Sequence, residues 1–387
     1  MQEYNTIIGK LLSGVNRKKF NRIVDKYKGN FAVKKLSCWE QFVAVFLGQI
    51  TNSSSLREII DTINFHSNQH YHLGIRKNIA RSTLALANAS RDWRIYRDLF
   101  FDLIKNLKEF QILEYKELIN IIDSTPIRLD ITSHPWVETT MKVIGLKVHV
   151  VYNLDNMLPT YFEITGARTN DINVAKNLEL KQGVTYVADK GYTDYNWWYK
   201  INQTGAFFVT RLKHNAQIKN LTEKQFHTDK ISSQIFVLTN KNPRAGKVNE
   251  YANIPLRKVY VDRGAEGKSS LVLLTNDFSR SAEEIAELYK QRWQIELFFK
   301  WIKQNLKIKR FLGTSENAIK TQICIALISY VLLRMAEELK IICTKISTKN
   351  LLKIIGNSLF NCLKVRKYGR CKYKNPNQLQ FEWVMQC

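Results

Sequence analysis

The sequence predicts an α/β protein: a mixed-sheet domain with a β-rich insertion, flanked by a helical N-terminal region and a basic helical C-terminal region. Three observations predict it. Helical hydrophobic spacing fills residues 1–115; short apolar strand patterns replace it from about residue 116; and helical spacing returns after a polar, strand-like stretch at about 212–276.

In the first region, apolar residues recur through Phe42, Val43, Phe46 and Leu47, then through Leu84, Leu86, Trp93, Tyr96, Leu99 and Phe100, with the polar cluster 52–55 between them. Arg17, Lys18, Lys19, Arg22, Lys26, Lys28, Lys34 and Lys35 are interleaved, which suits a helical DNA-binding unit and equally a solvated face. Residues 118–122 then read as a short strand ending on Asp123, and 146–152 and 161–164 as two more. Residues 171–180 have helical spacing; 184–188 is a buried-looking strand ending on Asp189; 206–210 is another. Three neighbouring strands, a helix and further strands is the order of a ribonuclease-H-like mixed sheet. Turns at 242–243 and 263–264 punctuate the β-rich stretch. Ser281 as N-cap with Glu284 three residues on announces a helix expected to run to about Leu306. From Lys340 onward Lys340, Lys345, Lys349, Lys353, Lys364, Arg366, Lys367, Arg370, Lys372 and Lys374 face Glu382 alone. The expected domains are 1–115, helical and suited to DNA; 116–340, the mixed-sheet domain with its insertion at about 212–276; and 341–387, basic and helical.

Composition narrows the function. Hydrophobic residues make up 45% of the 387, enough for a real core, so disorder is not the main story. Lys and Arg number 59 against 34 Asp and Glu, a formal charge of +25, and such self-repulsion calls for a polyanionic partner, nucleic acid ahead of anionic membrane. The N-terminal stretch lacks the basic-then-apolar pattern of a signal peptide, and the longest apolar run, 323–333, is interrupted by Ser329 and Tyr330 and reads as a buried helix. A cytoplasmic, nucleoid-associated protein, bacterial in type, is expected, with no membrane partner. Six cysteines without a Cys-x-x-Cys pair argue against a zinc finger or a disulfide framework.

Asp123 and Asp189 each follow a predicted strand, where a carboxylate is held on a rigid element suited to a hard cation, although Asp also ends strands simply because it favours turns. A third acid sits in the helix after Ser281. Tyr289, Arg292, Glu296 and Lys303 lie at offsets of three, seven and fourteen, within about 60° of one another and along roughly 21 Å of a continuous helix. Leu288, Ile295, Phe299, Ile302 and Leu306 form an apolar stripe beside them, leaving the first set on an open edge that Lys300 and Lys307 reinforce. An i,i+4 pair of Glu296 with Lys300 is the plainer reason for that acid. His66, His70 and His72 could form a metal pair, but no acid or cysteine nearby completes a site. Glu283, Glu284 and Glu287 suit the helix dipole, and Asp130 and Asp194 suit turns.

The spacing Tyr289-x2-Arg292-x3-Glu296-x6-Lys303 resembles the YREK signature of insertion-sequence DDE transposases, specifically the insertion-sequence-four family. The contexts of Asp123 (Asp-Ser-Thr) and Asp189 (Ala-Asp-Lys-Gly-Tyr) resemble its first two acidic motifs, and 207–213 its following strand. The likeness covers about residues 115–340. It implies a ribonuclease-H-like catalytic domain; two Mg2+ ions, with Mn2+ able to substitute, held by Asp123, Asp189 and Glu296; and phosphates held by Tyr289, Arg292 and Lys303. It also implies double-stranded DNA as partner, both transposon ends and target, a homodimer on that DNA, and often a hairpin intermediate. Trp293 is a candidate for stacking on an unpaired base or a packed aromatic, and Lys300 and Arg211 are candidates for backbone contact. The same acids would also serve a ribonuclease-H-like nuclease without strand transfer, or survive in a non-catalytic DNA-binding relic.

Overall fold

A computed structural model describes residues 6–109, 118–140, 144–241, 248–264, 270–306 and 311–338, with Leu352, Gly356, Leu359 and Phe360 individually. The chain divides into two compact units: Met1–Tyr115 with Leu129–Trp136 and Lys300–Cys387, and Lys116–Arg128 with Val137–Phe299. The basic residues from Lys340 onward, the turn at 242–243 and Lys307 lie outside the described residues.

The first unit is helical: α1 (Ile7–Leu12), α2 (Arg17–Lys26), α3 (Cys38–Ile50), α4 (Leu56–Phe65), α5 (His70–Leu73), α6 (Arg81–Ser90), α7 (Arg94–Glu109) and α12 (Glu316–Glu338). Helix α3 opens with a capping box between Ser37 and Glu40, and every one of its residues is buried. Phe42 and Phe46 of α3 join Phe20 and Tyr96 in an aromatic core. Helix α12 is long and apolar enough to cross a membrane by length and composition, yet 89% of its apolar window is buried against protein. It packs on α1, α3, α6 and α7, and the Ser329 hydroxyl donates to the Ile325 carbonyl at 2.7 Å. Leu86, expected on an apolar face, is 68% exposed instead.

The second unit is built on one sheet. Its strands are β1 (Ile119–Arg128), β2 (Glu138–Thr139), β3 (Ile144–Asn153), β4 (Leu158–Gly166), β5 (Thr185–Ala188), β6 (Phe207–Arg211), β7 (Ile218–Asn220), β8 (Gln225–Phe226), β9 (Ile231–Leu238), β10 (Pro255–Val261) and β11 (Leu271–Thr275). Antiparallel β4-β3-β1 continues as parallel β1-β5-β6, the ribonuclease-H-like order. Strand β5 is buried along its whole length, as a central parallel strand requires. The β-rich stretch extends this same sheet, because β11 pairs antiparallel with β6 and β10, β9 and β7 follow outward. Helices α8 (Asp171–Lys176), α9 (Tyr195–Gln203), α10 (Ala282–Gln291) and α11 (Trp293–Asn305) complete the elements, α9 packing on β6 and α10 on β6, β9 and β10.

Three expectations need correction. Strand β1 does not end at Asp123 but runs to Arg128, because its antiparallel ladder with β3 continues to Arg128↔Gly145. Its ladder with β5 does stop at Ile122↔Ala188. Beyond that point the β5-side edge has no ladder partner among the described residues, so Pro126, without an N–H, is tolerated there. Helix α8 stops at Lys176 rather than near Leu180. The helix expected from Ser281 to Leu306 does open with the Ser281–Glu284 capping box, but it breaks at Arg292, which caps α10 before α11 begins. The Arg292 N–H bonds Tyr289 O, and the Ile295 N–H bonds Arg292 O, both i→i−3 contacts that tighten the chain at the break.

Candidate active site

Parallel pairing brings the first two acids together. The last paired residues of β1 and β5 are Ile122 and Ala188, so Asp123 and Asp189 follow side by side where the two strands stop pairing. Asp123 stays in its strand opposite Val150, and its Oδ1 accepts the Ser124 N–H at 2.8 Å. Asp189 caps a short 3-10 turn over Lys190–Tyr192, its Oδ1 accepting the Gly191 N–H at 2.7 Å. A Cβ on Gly191 would come within 2.8 Å of that oxygen, so glycine is what lets the turn close on the carboxylate. Thr210 of β6 donates to the Asp189 carbonyl at 3.1 Å and steadies the same corner.

The third acid arrives through a cation. Arg292, at the break between α10 and α11, donates to Glu296 Oε1 at 2.5 Å and to Asp123 Oδ2 at 3.4 Å. One guanidinium therefore links the first and third acids. The Glu296–Lys300 pair expected from spacing gives way to this Arg292–Glu296 pair. Burial pushes the Asp123 carboxyl up to about 6, helped by the nearby negative charges of Asp189 and Glu296, while the Ser124 N–H and Arg292 oppose that rise.

Tyr289 is not on an open edge. It is 9% exposed, and Arg292 stands 5.9 Å from its ring centroid. Tyr289 lies on α10, which packs on β6, β9 and β10. Arg211 is half-buried at the end of β6, with Tyr289 in electrostatic reach. Trp293 is 56% exposed, so it is not a packed aromatic. On α11, Lys300 is exposed and Lys303 half-buried, in the stretch that belongs with the helical unit.

The donor set fits a hard divalent cation: three carboxylates, all oxygen ligands. Asp123, half-buried among like charges, is the kind of group a cation would relieve. In this arrangement Arg292 takes that part, and among the described residues no three His, Cys, Asp or Glu side chains converge closely enough to hold an ion together. The histidines do not form a metal pair either: His66 stacks on Phe360, buried His70 lies 3.0 Å from the Ile63 carbonyl, and His72 is exposed. Glu284 is occupied in its capping box and Glu287 pairs with Lys290. Asp130 accepts from Ser133 in a turn, and Asp194 caps α9.

Two buried groups beside the site were given no role by the sequence, although Tyr192 ends the Ala-Asp-Lys-Gly-Tyr motif around Asp189. His149 of β3 is 2% exposed; its Nε2 meets Thr165 Oγ1 at 2.8 Å, and its Nδ1 has no hydrogen-bond partner. Tyr192 is likewise 2% exposed, with an unpartnered hydroxyl. A tyrosine in a glycine turn reads as surface until the fold closes over it.

Residues 114–332 match the transposase DDE domain family, and residues 3–76 match a domain of unknown function, DUF4372. The chain is 40% identical over 257 residues to a protein of Sinorhizobium fredii named as a candidate transposase, covering 66% of this chain and 71% of the relative. It is 33% identical over 223 residues, 57% of each chain, to a candidate insertion-sequence transposase of Geobacillus stearothermophilus. A similar Synechocystis protein is 27% identical over 329 residues, 82% of this chain and 88% of the relative. The matched family region takes in Asp123, Asp189, Arg292 and Glu296 and more than half of the sequence: this protein belongs to the DDE transposase family.

Proposed function

We propose that this chain is the transposase of an insertion sequence of the insertion-sequence-four, YREK type, cutting DNA at the element's ends and joining the freed 3′ hydroxyl to a target. The observation that carries the reading is the meeting of Asp123 and Asp189 where the β1–β5 ladder ends, with Arg292 tying Asp123 to Glu296. Family membership implies dependence on a divalent metal. On this reading Asp123, Asp189 and Glu296 would hold two Mg2+ ions, which Mn2+ could replace and which would supply activation of the attacking oxygen and stabilisation of the leaving one.

The chain's own residues orient and neutralise the DNA. Arg292 offers a forked contact to a phosphate of the transposon end once it releases the acids, and Tyr289 backs its guanidinium. Lys300 and Lys303 act as point charges on the strand, and Arg211 is a further backbone contact. Exposed Trp293 suits stacking on an unpaired base, the state a hairpin intermediate produces. The helical unit, carrying exposed Lys18, Arg22 and Lys26 on α2, would bind double-stranded DNA, and the chain would act as a homodimer on two ends.

Asp123→Ala, Asp189→Ala and Glu296→Gln should each reduce strand cleavage of a labelled terminal-repeat duplex by 1000-fold or more, on the order expected for a metal ligand, with end binding retained in a gel-shift assay. A variant that still cuts removes its residue from the site. Cleavage without joined products would make the chain a nuclease.

A further inference from the structure

We propose that Tyr192 is a positioning residue of this site: its buried hydroxyl, which completes no hydrogen bond of its own, is the donor that the Asp123–Asp189 acid pair takes up on binding a divalent cation, and it holds the pair in that orientation. The inference deepens the reading of Asp123, Asp189 and Glu296 as a metal site and rests on it.

Four observations carry it. Tyr192 closes the 3-10 turn that Asp189 caps, its N–H reaching the Asp189 carbonyl at 3.2 Å, so its backbone cannot move independently of that acid. Its ring is locked in the core with Ile122, Ala175, Ala188 and Trp197. Packing would be served as well by phenylalanine, so the hydroxyl needs another reason. That hydroxyl feels the charges of Asp123, Asp171 and Asp189 and lies beside the Ser124 hydroxyl, yet it completes no hydrogen bond.

A small cavity lined by Ile122, His149, Asp171, Ala175 and Tyr192 adjoins it. The unpartnered His149 Nδ1 belongs to the same cavity, 3.6 Å from Asp171 Oδ1. An unpaired buried hydroxyl is costly and seldom retained without a use. Asp171 lines the same cavity, Asp123 and Asp189 are within electrostatic reach, and each carboxylate is an acceptor. A donor behind a ligating carboxylate fixes its orientation and tunes its hold on the ion.

Mn2+ binding to the full chain without DNA, followed by electron paramagnetic resonance, tests the proposal. Tyr192→Phe should melt with the parent protein yet bind Mn2+ about tenfold more weakly, the usual effect of losing such a support. With labelled end DNA, kcat should fall while KM stays unchanged. Unchanged Mn2+ affinity, or a loss that merely tracks a lowered melting temperature, overturns it. If Tyr192→Phe does not fold, 3,5-difluorotyrosine at position 192 keeps the ring and changes the donor strength of the hydroxyl instead, and unchanged Mn2+ affinity there overturns it equally. A parent chain that binds no Mn2+ brings down the metal-site reading and this proposal with it. Parent binding with an unaffected Tyr192→Phe removes the tyrosine alone.

Discussion

Arg292 does at the residue scale what an ion would do. It is largely buried, its side chain 17% exposed, and it neutralises Asp123 and Glu296 together. Arg292→Gln should therefore raise Mn2+ affinity of the DNA-free chain several-fold, because a competing cation is gone, while weakening end binding. Titration calorimetry reads both, and an unchanged or lower Mn2+ affinity contradicts the competition. His149 makes a separate, pH-linked prediction. Burial pulls its imidazole down to about 4 from 6.5; Asp171 opposes this and Lys147 reinforces it. The folded chain thus holds fewer protons than the unfolded chain between those values. Stability is complete above about pH 6.5 and is lost as pH falls toward 4, by up to about 3 kcal/mol from this group. His149→Gln should flatten that part of the melting-temperature profile. A variant as acid-sensitive as the parent would assign the effect elsewhere.

At the scale of elements, two local structures set the site: the Asp189 turn and the α10–α11 break. The turn depends on Gly191, where a methyl would press on Asp189 Oδ1. That oxygen can rotate away only by giving up the Gly191 N–H. Gly191→Ala should therefore lower DNA cleavage about tenfold or more, a 1.4 kcal/mol effect on the barrier, with melting nearly unchanged. Full activity would show that the turn tolerates a second acid held more loosely. Helical arithmetic over 289–303 succeeded only in part. Glu296 and Arg292 do meet, four residues apart. Tyr289 goes inward, because α10, on which it lies, packs on β6, β9 and β10.

For the whole molecule the governing quantity is charge. With +25 on 387 residues, DNA affinity should fall steeply with salt, by on the order of 1000-fold between 50 and 200 mM for a protein meeting six or more phosphates. Fluorescence anisotropy with terminal-repeat and unrelated duplexes measures the slope, and binding indifferent to salt would contradict an electrostatic footprint. The sheet has its own consequence at this scale. The β-rich stretch joins the catalytic sheet through β11 and β6, so it is continuous with the strand that steadies Asp189 through Thr210.

The sequence by itself determined the kinds of elements, their order along the chain, the placing of Asp123 and Asp189 at the β1–β5 junction and the capped start of α10, because each is written in a short local pattern of spacing, burial and turn chemistry. It also carried the excess of positive charge. Only the tertiary structure decided that β1 runs past Asp123, that the helix breaks at Arg292, that Tyr289 and Tyr192 are buried, and that one guanidinium spans two acids. Each of those follows from a partner distant in sequence: β3 extends β1, Asp123 draws in Arg292 across 169 positions, and the core closes over Tyr192. A long-range partner competes with local preference through contacts that exist only once the chain has folded, so no window of neighbouring residues contains it.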